Sequence, residues 1–191
     1  MRRLKTFSAI AVSSVILLAG WTVSTVHSED DLSADPAARG KYLVTAGGCH
    51  DCHSPKVFTE KGPEPDMALA LSGAPAGAVL PEVPTGILGP DKWGAVCSND
   101  LTTWVGPWGV SFASNLTPDK KSGLGEWTEQ QFIDALRKGK HRGFGRQILP
   151  PMPWFNLALL TDDDLKAIFA YLQTLPAISN KVPDPIPPAG K

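Results

Sequence analysis

Cys49-His50-Asp51-Cys52-His53 gathers the reactive side chains of this sequence into one short run. Two thiols three residues apart, followed directly by a histidine, form a Cys-x-x-Cys-His motif, the pattern of c-type haem attachment. The spacing has a mechanical reason. On a single turn both sulfurs reach the vinyl groups along one edge of a porphyrin and become thioethers. His53 is then held beneath the iron, where its imidazole coordinates. Other chemistries compete for the same residues. A zinc site built from Cys49, Cys52 and two histidines wants a second ligand pair at matching spacing, which the sequence lacks. A redox dithiol wants a βαβ context. A Cys49–Cys52 disulfide is open to the chain in an oxidising compartment. An export signal and a helical frame, described below, favour haem. One motif means one haem c and one iron.

An electron carrier gains from a second axial ligand, because a six-coordinate iron excludes substrate. Apart from Met1, the methionines are Met67 and Met152. Met152 lies between Pro151 and Pro153, with Pro150 just before. Proline fixes φ and removes an amide N–H, so this loop can hold a thioether in place. The competing reading is a loop methionine packed on the haem face. Met67 lies among Ala and Leu and reads as packing. His141 is the rival ligand and would give a bis-His site of lower potential; its alternative is an exposed loop histidine beside Lys140 and Arg142. His50 is too near His53 to reach the opposite face of the ring. His/Met ligation raises the reduction potential.

The elements that must carry these groups come next. The chain has 191 residues, 42% hydrophobic and 19% charged, with a net charge of −1. That is globular composition with no electrostatic footprint for nucleic acid. Arg2, Arg3 and Lys5 precede an uncharged stretch, Phe7 to Val26, and Val26-His27-Ser28 precedes acidic residues. This reads as a signal peptide over residues 1–28; the alternative is an uncleaved membrane anchor over residues 7–26. Either one places the domain in the periplasm or another extracytoplasmic space, and only the anchor places it at a membrane. Cleavage removes three cations and no acid, leaving a domain near about −4.

Asp35-Pro36 reads as a cap followed by helix to Ala46, with Gly47-Gly48 ending it. Thr128 and Gln131 have capping-box spacing before Phe132, Ile133 and Leu136, and Gly139 stops that helix. Thr161 caps a helix in which Leu165, Ile168, Phe169 and Leu172 recur at i, i+3, i+4, i+7. Residues 54–115 are rich in Gly, Pro and Ala, hold Trp93, Trp104, Trp108 and Cys97, and show no sustained period. They read as an irregular insertion with at most a short hairpin, packed onto something large. The tail, residues 177–191, is Pro-rich and reads as extended or loosely draped. The fold class expected is all-α, with residues 29–176 as the domain.

Several residues offer to offset haem propionates. Trp127 has an indole N–H, Arg142 and Arg146 have guanidinium hydrogens, and Asn115 has an amide. Core packing for Trp127 and a solvated loop for the arginines compete with that role. Arg137, Lys138, Lys140, Arg142 and Arg146 cluster with no acid among residues 137–146. Such a cluster either steers an acidic partner or is a solvated loop that offsets the propionates. Cys97 is left without a partner if the motif holds haem. It is then either buried or a link between chains.

These pieces together resemble class I c-type cytochromes, and more closely the bacterial cytochromes that serve periplasmic dehydrogenases, such as the cytochrome subunits of alcohol dehydrogenases. The matching runs are Arg39 to Tyr42, the haem motif, Asn115 to Asp119, Gly123 to Thr128, Leu149 to Pro153, and Thr161 to Leu172. The resemblance implies crossing N- and C-terminal helices that meet at Gly40 and Tyr171, and Met152 as axial ligand. It implies a one-electron carrier rather than an enzyme. Its partners would be a dehydrogenase or quinol-oxidising complex on one side and a cytochrome or oxidase of a respiratory chain on the other. If Met152 is not a ligand, the alternative is a haem enzyme or gas-binding sensor with an open iron. The long segment with Cys97 departs from the family pattern.

Overall fold

A computed structural model describes residues 35–188. The expected leader or anchor lies outside these residues. No helix among the described residues is long and apolar enough to cross a membrane.

The first helix, α1 (Pro36–Ala46), starts where Asp35 accepts from the Ala37 amide and Pro36 supplies a helical φ. It packs against α5 (Asp162–Thr174), which Thr161 caps through the Asp164 amide and whose first turn carries Asp162, Asp163 and Asp164. The two helices touch at Gly40. A β-carbon there would overlap the Ala167 carbonyl and crowd Tyr171. Beside this crossing Arg39 donates to Asp164 from Nε (3.0 Å) and Nη2 (2.9 Å).

The third long helix, α3 (Glu129–Lys138), has the expected capping box between Thr128 and Gln131 and ends at Gly139 with φ 63°. Phe132, Ile133 and Leu136 face Leu165, Ile168, Phe169 and Leu172 of α5, Val44 of α1, Leu71 and Leu124 in a single buried cluster. The Phe132 and Phe169 rings sit 5.3 Å apart. Two short helices complete the set: α2 (Cys49–His53) and α4 (Trp154–Leu157).

The expectation of an all-α fold is overturned. Two small antiparallel sheets stand beside five α-helices among the described residues, so the fold is mixed α/β. β1 (Lys56–Thr59) pairs with β2 (Gly62–Pro65) as a hairpin. β3 (Val96–Cys97), β4 (Thr103–Gly106) and β5 (Gly109–Phe112) form a three-stranded meander. The reason the sequence hides them is physical. The strands have two to four residues, and β1 is mostly exposed on both faces, so no alternation develops. Pro63 and Pro65 sit in a strand that has a free edge, where a missing amide costs little.

The tail is tied down rather than loosely draped. Ile186 exchanges both backbone hydrogen bonds with Val110 on β5, at 2.8 and 3.0 Å. Asn180 donates from Nδ2 to the carbonyls of Ser72 (2.8 Å) and Ala74 (2.9 Å) and accepts from the Ala76 amide (3.0 Å).

Candidate haem-attachment site

Gly48, at φ 64°, turns the chain out of the end of α1 and into α2. The left-handed backbone is what requires glycine here. The turn places Cys49 against the hydrophobic core and leaves Cys52 half-buried; both are free thiols. Burial pushes the Cys49 thiol up to about 11 and also raises Cys52, so both are protonated at neutral pH.

His53 is buried, 8% exposed. Its Nδ1–H donates to the Ser114 carbonyl at 2.7 Å. That bond fixes the tautomer, so Nε2 carries the lone pair. Burial lowers the His53 pKa and keeps the ring neutral, the form that binds metal. Nε2 makes no hydrogen bond among the described residues. A buried, neutral, oriented imidazole directly after two free thiols on one turn fits the donor set of a covalent haem.

The insertion builds the walls of this site. Gly73 donates its amide to the His53 carbonyl at 2.8 Å. Leu71, fully buried, holds φ 59°, an uncommon value for a non-glycine residue. Its amide donates to Ser54 Oγ and its carbonyl accepts from Leu116, which together lock it. Ser111, three residues before Ser114, donates from Oγ to the Pro150 carbonyl at 2.6 Å. Residues 111–114 therefore touch both His53 and the loop that carries Met152. Neither Ser111 nor the Ser114 carbonyl stood out in the sequence, because a serine before a loop carries no local signal of its partner.

Met152 is half-buried against the core and lines a cavity of about 450 Å³ with Ile148, Leu149, Pro150, Pro151, Trp154 and Phe155. The loop is anchored at both ends. The Trp154 ring lies over Gly139, where a β-carbon would strike it. Arg137 donates to the carbonyls of Ala158 and Leu160 and to Asp162. The Pro150–Pro151 peptide is cis.

The candidate propionate partners fall into two places. Trp127 is half-buried; the His141 ring meets it edge-on at 4.8 Å and the Arg142 guanidinium lies 5.4 Å from its centroid. Burial, then Arg146 and Arg142, lower the His141 pKa. Arg146 is exposed and donates to the Gln147 carbonyl at 3.3 Å. Asn115 lies elsewhere. It is 3% exposed and its amide is spent inside the protein, donating to the Ile178 carbonyl (2.8 Å) and Ser122 (3.2 Å) and accepting from Thr117. Of the five clustered cations, Arg137 is used as described and Lys138 pairs with Asp134 at 3.0 Å. Lys140, Arg142 and Arg146 have no ion pair among the described residues. Cys97 is exposed on β3.

No protein-family model matches the chain. It is 30% identical over 177 residues to the fructose dehydrogenase cytochrome subunit of Gluconobacter japonicus, covering 91% of this chain and 29% of the relative. It is 29% identical over 161 residues to the gluconate 2-dehydrogenase cytochrome c subunit of Pantoea cypripedii, covering 84% and 28%. Against a diheme cytochrome c-type protein of Cereibacter sphaeroides it is 28% identical over 177 residues, covering 88% and 48%. The chain thus spans under a third of the length of the first two relatives. In sequence the chain is a homologue of the cytochrome c subunits of dehydrogenases, at about 30% identity over most of its own length.

Proposed function

We propose that this chain is an extracytoplasmic one-electron carrier, not itself an enzyme, with one haem c joined to Cys49 and Cys52. The observation that supports it best is the His53–Ser114 bond of 2.7 Å, which leaves the other imidazole nitrogen of a buried ring facing away from Ser114. Haem, when bound, supplies the ferric/ferrous couple. The protein's residues do the rest. His53 and Met152 would hold the iron, the methionine carried by the proline loop. The apolar core beside Cys49 and Met152 excludes water, which disfavours the extra charge of the ferric state.

Electrons would come from a dehydrogenase or a quinol-oxidising complex and leave to another cytochrome or an oxidase. The relatives' names support a dehydrogenase as donor. Lys140, Arg142 and Arg146, with exposed Phe144 and Phe155 nearby in sequence, form a cationic surface with apolar side chains for an acidic partner.

The test is mass spectrometry and optical spectroscopy of the exported protein. The expected product carries the mass of one haem in excess of the processed chain, with a low-spin spectrum in both oxidation states and no carbon monoxide binding when reduced. Unmodified Cys49 and Cys52 thiols in exported protein would refute the carrier. Ready carbon monoxide binding would refute Met152 as ligand and favour an open-iron enzyme or sensor.

A further inference from the structure

Lys56, the first residue of β1, reaches back beneath the attachment turn. Its Nζ donates to the carbonyl oxygens of His50 (3.1 Å), Asp51 (2.9 Å) and Ser54 (2.5 Å). An ammonium has three hydrogens, and here each has a carbonyl. The His50 and Asp51 oxygens belong to the last turn of a five-residue helix and the Ser54 oxygen to its C-cap, the end at which negative partial charge collects; the His50 carbonyl also accepts from the Ser54 amide. No other cation among the described residues bonds to this turn. Asp100 and Asp51 are the carboxylates that act on the ammonium, and Asp100 is itself held by Ser98 and Thr102.

Two consequences follow from charge and geometry. The clamp ties together the residues on either side of Cys52 and His53, so it fixes the orientation in which the thiol and imidazole are presented. It also sets a positive charge beside the turn that carries the iron ligand. A nearby cation disfavours the state with the additional positive charge.

We propose that Lys56 is a positioning residue of the haem turn, whose charge both holds the turn for attachment and favours the ferrous state. This rests on the haem reading above.

The test compares the parent protein with Lys56→Gln, Lys56→Met and Lys56→Arg, all exported and purified in the same way. Haem loading is read by mass and midpoint potential by optical titration. Gln and Met are expected to lose loading, or to load and lower the potential by about 28 mV or more, a threefold shift in the ferric-to-ferrous ratio. Arg, which keeps the charge and the donors, is expected to match the parent in both readouts. Gln and Met variants that match the parent would overturn the proposal. So would an Arg variant as impaired as Gln, since packing and not charge would then be what matters. A parent protein without bound haem would instead defeat the carrier reading itself, and the mass alone separates the two failures.

Discussion

Gly40 lies against the carbonyl of Ala167, with no room for a methyl group between them. The contact is backbone to backbone, so neither side can move without shifting a helix. Gly40→Ala is therefore expected to cost about 3 kcal/mol or more, at or beyond the usual range for overpacking. Thermal unfolding of the two proteins measures it. A loss under about 1 kcal/mol would mean the helices part easily at this point.

Met152 and His141 make opposite predictions for the iron. Met152→Ala is expected to open the iron to carbon monoxide and lower the potential by on the order of 0.1 V, a fraction of the ~0.8 V range that axial ligands span. His141→Ala is expected to keep the parent spectrum, since its ring is engaged edge-on with Trp127. The reverse result would make His141 the ligand.

Cys97 is exposed, whereas Cys49 and Cys52 are half-buried and would be consumed as thioethers. A thiol count on the haem-loaded protein should give one, and none for Cys97→Ser. In the haem-free chain, alkylation should reach Cys97 first. Cys49 should react last, and faster as the pH rises toward 11, because burial raises its pKa to about that value.

Asp119 provides a pH dependence. Its carboxylate accepts from the Ser122 hydroxyl (2.6 Å) and amide (2.7 Å) and from the Lys121 amide (3.1 Å). The Ser122 bonds come first among the causes that hold its pKa below the ordinary carboxylate value. A group whose folded pKa is lower than its unfolded pKa lends stability above the unfolded value, and that stability fades as the pH falls through the folded one. Asp119→Asn should thus lose stability at neutral pH and show a shallower decline below about pH 4. Denaturant titrations at pH 7 and pH 3 check the sign. A larger difference between the two proteins at pH 3 would contradict it.

What the sequence disclosed was local. The haem motif is five consecutive residues, and α3 and α5 announce themselves by a cap within three residues and an apolar repeat. What it concealed was made of distant pairings. The sheets rest on strands too short to show a period, and the clamp of Lys56 is a lysine beside a proline until the turn folds over it. Arg137 looks like one more surface cation, yet it is bound to carbonyls more than twenty residues away. Asn115 has the donors a propionate wants, and the fold spends them on Ser122 and on the tail at Ile178. The Pro-rich tail looks unattached because it is fastened by side-chain bonds of Asn180 and backbone bonds of Ile186, which no composition reveals.

The return of Ile186 to Val110 also closes an edge: β5 is the outer strand of the meander, and an uncovered strand edge is a template for other chains. A chain cut short before Ile186 would keep that edge of β5 open in the folded protein.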